Sequence, residues 1–221
     1  MIRSMLQSEI NDNRWYESMM VGNRTVQFIS STIASVSSGT AAVNVSTPAE
    51  AQSGDLLVAV GINGNLTYTW TVAGSFTENL DSGGRLVASS IWTGGASHTF
   101  TSSSSNGSKT VALLLFRYAT IGAVSTVGTA AADPIAPSTS LGSVTVGSIR
   151  VGLLGSGQAG NTYNAPDGWT TIYNQDTPTT MGVFIQNDKV TTTALASQTF
   201  VRATGSLTSP TAVQFSITPT V

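Results

Sequence analysis

Ser53-Gly54-Asp55-Leu56-Leu57-Val58-Ala59-Val60 and, further along, Val146-Gly147-Ser148-Ile149-Arg150-Val151-Gly152-Leu153 decide how this chain folds. Each stretch sets a glycine beside a short polar residue and then runs into an apolar segment, the pattern of a buried strand fed by a turn. The two stretches echo each other, and the echo extends outward. Trp70 is answered by Trp169, Ser97-His98-Thr99-Phe100-Thr101 by Ser197-Gln198-Thr199-Phe200-Val201, and 110–116 by 212–217. Recurrence of this kind marks a repeated structural unit. It predicts two pseudo-repeats, about 33–118 and 123–218.

Between these landmarks the runs are short, rich in Val, Ile, Leu, Thr, Phe and Trp, and bounded by Gly, Ser, Asn, Asp and Pro. Such a chain is expected to be all-β. Strands are predicted near 25–36, 41–46, 55–62, 67–73, 85–93, 97–102, 110–117, 123–129, 149–155, 168–174, 180–187, 197–203 and 211–218. Fully apolar runs such as Leu113 to Phe116 predict strands covered on both faces. The joining stretch Gly128 to Leu141, with Asp133-Pro134 and Ala136-Pro137, is turn-rich yet too short and too apolar for a free linker. The expected architecture is an antiparallel two-sheet β-sandwich, jelly-roll-like, forming a single domain over 25–221. Each pseudo-repeat would donate strands to two sheets packed about 10 Å apart.

The 221 residues include 9 Lys+Arg, 11 Asp+Glu and 1 His, so charged residues are 9% of the chain while 40% is apolar. That is ample core material without the high net charge that keeps a segment disordered. The cations are scattered singly from Arg3 to Arg202, so nucleic acid is not an expected partner. With 0 Cys, the chain has no disulfide, thiolate metal site or cysteine nucleophile. The longest apolar stretches, Leu56 to Val60 and Val111 to Phe116, fall far short of the about 20 residues of a spanning helix, and no membrane partner is expected. Ser4, Gln7, Ser8 and Glu9 interrupt any apolar run at the start, so no secretory signal is expected.

Residues 1–24 have a different character. Met5, Leu6, Ile10, Tyr16, Met19 and Met20 recur at three- and four-residue spacings, as in a short amphipathic helix interrupted at Asn11-Asp12-Asn13. Together with Trp15, they are too many for an idle tail and too few for an independent fold. These seven residues are candidate anchors, either on the chain's own sandwich or on a neighbouring subunit.

Most site chemistries find no support in the residue pattern. A Ser/His/Asp arrangement has only His98 to draw on, and Gln198 at the matched place says that imidazole is dispensable there, so a structural role is expected. Asp55, Asp81, Asp133, Asp167, Asp176 and Asp188 are dispersed, with no calcium-loop spacing, so no metal or other cofactor is expected. No spacing selects a carboxylate pair from Glu50, Glu78, Asp81 and the other aspartates for glycosidic cleavage. Gly152-Leu153-Leu154-Gly155-Ser156-Gly157 resembles a phosphate cradle but precedes no helix, and is expected to be a mobile glycine loop. Trp70 and Trp169, being matched, are expected in the core. Trp92 and Tyr163 are the candidate glycan contacts, with Tyr163 and Asn164 beside Gly160 forming a rim.

The string from Ser53 to Val60, a Trp-bearing strand, Ser97 to Thr101 and Val111-Ala112-Leu113-Leu114-Leu115-Phe116-Arg117-Tyr118 resembles a β-sandwich module common in tailed-phage virion proteins. In the second half, Ala165-Pro166-Asp167-Gly168-Trp169-Thr170 looks like that module's proline-glycine-tryptophan turn, whereas Trp70 lacks the preceding Pro-Gly. The resemblance covers roughly residues 33–218. It implies a virion component without catalytic residues, displayed on the head or on the tail. The leading expectation is a non-enzymatic head decoration or cement protein, homo-oligomeric, docking on the major capsid protein or on tail proteins through residues 1–24. The alternative is a tail or fibre adhesin that binds a host glycan.

Overall fold

The computed structural model describes residues 25–129, 135, 140–156, 160, 162–175, 178–204 and 210–220. The seven candidate anchors, Met5 to Met20, lie outside the described residues. In chain order the strands are β1 (Gln27–Val36), β2 (Ala42–Ser46), β3 (Leu56–Asn63), β4 (Trp70–Thr71), β5 (Thr77–Ser82), β6 (Arg85–Ile91), β7 (Ser97–Ser102), β8 (Lys109–Arg117), β9 (Ala119–Val124), β10 (Gly128–Thr129), β11 (Ile149–Ser156), β12 (Thr162–Asn164), β13 (Trp169–Gln175), β14 (Thr180–Gln186), β15 (Val201–Thr204) and β16 (Thr211–Pro219).

Two large antiparallel sheets form the middle of the molecule. One has the order β1-β8-β3-β6-β5, the other β10-β16-β11-β14-β13 with β9 also on β16. Period-two alternation sorts each central strand into two apolar faces. Leu56, Val58, Val60 and Ile62 of β3 share one core with Ile149, Val151 and Leu153 of β11 and Val213, Phe215 and Ile217 of β16. The alternate residues Leu57 and Ala59, with Leu113 and Leu115 of β8, face away from that core. They pack on Val43, Val45, Trp70 and Phe100, carried by the small sheet β2-β7-β4. Likewise Leu154 and Phe184 turn outward onto Tyr163, Trp169 and Phe200, beneath the pair β12-β15.

The sandwich therefore has four layers rather than two. Strands before Tyr118 build one large sheet and its own cover, and strands after it build the other large sheet and its cover. The expectation that each half contributes to both sheets is corrected by this arrangement. The reason lies in the apolar runs: β3, β8 and β11 are buried at essentially every position, and such strands need a partner on both faces.

Glycines inside strands set the spacing between layers. The expected glycine loop at Gly152 to Ser156 is instead part of β11. A Cβ on Gly152 would lie 2.4 Å from Cζ of Phe200, and one on Gly155 would lie 2.1 Å from Cδ1 of Ile62. Gly155 thus marks a close approach of the two large sheets. The outer edges are blunted, as exposed sheet edges usually are. Edge strand β5 carries Glu78 and Asp81 with a register shift between Glu78 and Leu80, and β13 has its own shift between Thr171 and Tyr173.

Candidate functional site

Two turns that open the central strands are built alike. Asp55 N donates to Gln52 O at 2.9 Å before β3, and Ser148 N donates to Thr145 O at 3.2 Å before β11. The third residues of these turns, Gly54 and Gly147, have φ of 93° and 89°, where a side chain would be strained. Gly54 N also donates to Trp92 O and Gly147 N to Val190 O, while Trp92 N and Val190 N donate back to Asp55 O and Ser148 O.

The side chains within these like frames differ. Beside β3, the Asp55 carboxylate accepts from Arg117 Nε and Nη2 at 2.9 Å each and from the Gln52 amide at 2.9 Å. Beside β11, the corresponding residues are Ser148 and Thr218, whose hydroxyls lie 3.3 Å apart. The backbone frame therefore closes without an ion pair at this place. Arg117 Nη2 also donates to Glu50 O at 3.2 Å, and Ser30 Oγ donates to the Glu50 carboxylate at 2.7 Å. Lys189 Nζ donates to Val26 O where the chain enters β1.

Burial opposes ionisation of Asp55, but the Arg117 hydrogen bonds, the Gln52 amide and the Arg117 charge outweigh it and hold the carboxyl below its ordinary value. A depressed carboxyl stabilises the fold above the unfolded pKa of about 3.9, and that contribution is lost as pH falls through the lower folded value. Asp55→Asn should accordingly lower the urea midpoint at pH 7, with the gap to wild type narrowing below about pH 4. A gap that stays constant down to pH 2.5 would show that ionisation of Asp55 contributes nothing.

Gln52, Ser53, Asp55, Arg117, Tyr118 and Thr220 line an open recess of about 270 Å³ at this end of the molecule. Tyr118 is half-buried and stands at the corner where the chain leaves β8 for β9, crossing from one large sheet to the other. Its φ is 55°, and every other left-handed residue among those described is a glycine. The position after Thr218 in the second half is Pro219, so that half uses neither the aromatic ring nor the left-handed backbone.

The residues singled out from the sequence fall elsewhere. Trp70 and Trp169 are buried in the two outer cores, as expected, and Trp70 Nε1 donates to Gly84 O at 3.4 Å. His98 is buried in β7 with its ring edge-on to Phe76 at 5.1 Å, and burial pushes its pKa down. The expected rim at Tyr163 is corrected: the residue is 2% exposed and packs against β14, where Gly182 leaves room for its ring. Trp92 is half-buried, its indole against the outer core of the first half and its backbone within the Gly54 turn. Trp92 and Tyr163 thus sit on opposite sides of the central sheets and share no surface. Arg117 and Tyr118 are not legible as a site, because the β3–β8 register sets Arg117 beside Asp55 and the corner into β9 places Tyr118 next to it.

Comparison of the chain with protein-family models, with curated proteins and with solved structures returned no match. No group of three or more His, Cys, Asp or Glu able to hold a metal ion occurs among the described residues. No helix among them is long and apolar enough to cross a membrane.

Proposed function

We propose that this chain is a non-enzymatic structural protein of a bacteriophage virion, a head decoration or cement protein that docks through residues 1–24. One observation carries the reading. The large apolar side chains exposed among the described residues are Ile91 in β6, Val146 in the turn before β11 and Val201 in β15, so the folded body offers little greasy surface for assembly. Met5, Leu6, Ile10, Trp15, Tyr16, Met19 and Met20 precede β1 and supply what the body lacks. The phage setting rests on the motif resemblance above. The like turns before β3 and β11, and the like strand orders of the two large sheets, support reading the halves as copies of one duplicated unit.

Contacts made only with assembled neighbours stabilise the assembled state by mass action, and a closed symmetric oligomer is the default arrangement for such a partner. The test is occupancy on purified particles. Deleting residues 1–24 should abolish binding to shells while leaving the β-sheet circular dichroism of the body intact. Wild-type occupancy of the truncated protein would overturn the reading. A tail or fibre adhesin is the second reading, and the recess beside Tyr118 is the observation that favours it.

A further inference from the structure

We propose that Asn106-Gly107, in the loop between β7 and β8, is a self-modification site at which the chain converts its own Asn106 carboxamide into a carboxylate, promoted by Lys109. The inference goes beyond the virion reading and does not rest on it.

The chain holds two Asn-Gly pairs, Asn63-Gly64 and Asn106-Gly107, and folding brings them together. A Cβ on Gly107 would lie 3.9 Å from Oδ1 of Asn63 and 4.0 Å from Cα of Gly64. In such a pair the asparagine side chain can close a ring onto the next backbone nitrogen with least hindrance, because glycine has no Cβ and turns freely. Closure needs a backbone N–H that can be given up and a carboxamide that can swing onto it.

At Asn63-Gly64 both parts are engaged. Gly64 N donates to Ser108 O at 2.9 Å, Asn63 Nδ2 donates to Ser102 Oγ at 2.6 Å, and Asn63 Oδ1 accepts from Asn65 N at 3.3 Å in a fully buried side chain. At Asn106-Gly107 both are free. Asn106 is exposed, and neither its carboxamide nor Gly107 N has a hydrogen-bond partner among the described residues. The flanking backbone is nonetheless fixed, since Gly39 N donates to Ser105 O at 2.9 Å and Asn106 N to Ser104 Oγ at 3.1 Å.

Lys109 supplies the chemical push. It is buried, and its Nζ donates to Ser105 O at 3.3 Å, Asn106 O at 3.2 Å and Gly107 O at 2.7 Å. Asn106 O and Gly107 N belong to one peptide group. When hydroxide takes the Gly107 amide proton, the negative charge spreads onto that oxygen, where the ammonium stabilises it. The nitrogen then attacks Cγ of Asn106 and forms a C–N bond. The Cγ–Nδ2 bond breaks, Nδ2 takes a proton from water, and ammonia leaves behind a five-membered imide. Water opens the imide at either carbonyl, giving aspartate or its isomer with the backbone routed through the side chain. One water is consumed and one ammonia released, with no change of oxidation state. The product adds a negative charge to a chain whose formal net charge is -2. Arg85 Nη1 likewise donates to Asn63 O, so a cation on the carbonyl is not sufficient, and the free N–H and carboxamide separate the two pairs.

The experiment incubates the full chain at pH 8, folded and in urea, and follows both asparagines by peptide-mapping mass spectrometry with aspartate and isoaspartate peptides resolved. In the folded chain Asn106 should convert at least about tenfold faster than Asn63, and about threefold or more faster than in urea, where the two pairs react alike. Lys109→Met should bring the folded rate at Asn106 down to the rate in urea. The proposal is overturned if folded Asn106 keeps its amide, if it converts no faster than in urea, or if a folded Lys109→Met variant matches wild type. Should that variant fail to fold, the comparison of folded with unfolded wild type decides alone. Particle occupancy of the truncated chain tests capsid docking separately.

Discussion

Gly155→Val should destabilise the protein by about 3 kcal/mol, the upper range for overpacking a well-filled core. Gly155 lies in β11 on the face turned to the opposite large sheet, and a Cβ there would sit 2.1 Å from Cδ1 and 3.0 Å from both Cγ1 and Cγ2 of Ile62. The Cδ1 methyl can swing aside. The two γ carbons are fixed close to the β3 backbone, and Ile62 is fully buried. The added bulk therefore has to push β3 and β11 apart, at the expense of contacts along the shared core. Ile62→Ala alone should cost roughly 2–5 kcal/mol through its cavity. The double variant should recover more than about 1 kcal/mol relative to the sum of the singles, the sign of direct coupling. Urea denaturation of the four proteins measures this, and strict additivity would show that the sheets do not meet at Gly155.

Arg85→Ala should cost about 2–4 kcal/mol, while Arg85→Met should recover most of that loss. Arg85 opens β6 and is fully buried. Its Nη1 donates to Asn63 O at 3.0 Å and Gly84 O at 3.2 Å, and its Nε donates to Thr211 Oγ1 on β16. It thus ties the first half of the chain to the second. Burial, with no carboxylate partner among the described residues, pushes its pKa down to about 10, partly offset by Tyr163. The charge is a desolvation cost, offset by hydrogen bonds and by packing along the aliphatic stem. Alanine removes the packing and leaves a hole, whereas methionine keeps most of the volume and removes the cost. A methionine variant as unstable as the alanine one would mean that the charge itself holds the halves together.

How far the fold was legible depends on where each strand gets its partners. β3, β8, β11 and β16 announced themselves because a strand buried on both faces must be apolar throughout. The matched positions of Trp70 and Trp169 alone predict their burial in the core. Nothing in the residue pattern predicts β5: Thr77-Glu78-Asn79-Leu80-Asp81-Ser82 has one large apolar side chain, since it is an edge strand held chiefly by its ladder to β6. The sequence predicts a surface loop at β12, for three residues are too few to show a period. The predicted strand over 67–73 shrinks to Trp70–Thr71, and that over 123–129 divides into β9 and β10, with β9 starting at Ala119.

The candidate site was less legible than the fold. Asp55 could be seen only as one dispersed acid among several, and Arg117 and Tyr118 only as the polar end of an apolar run. Their meeting depends on register, which pairs Leu56 with Phe116 and so sets Asp55 opposite Arg117.

Local patterning in the sequence alone determined the all-β class, the strands buried on both faces and the turn glycines, because period and φ preference act within a few residues. The four-layer stacking, the burial of Tyr163 and the recess at Tyr118 were decided only in the tertiary structure. Each depends on which segment covers which face, and that follows from long-range packing.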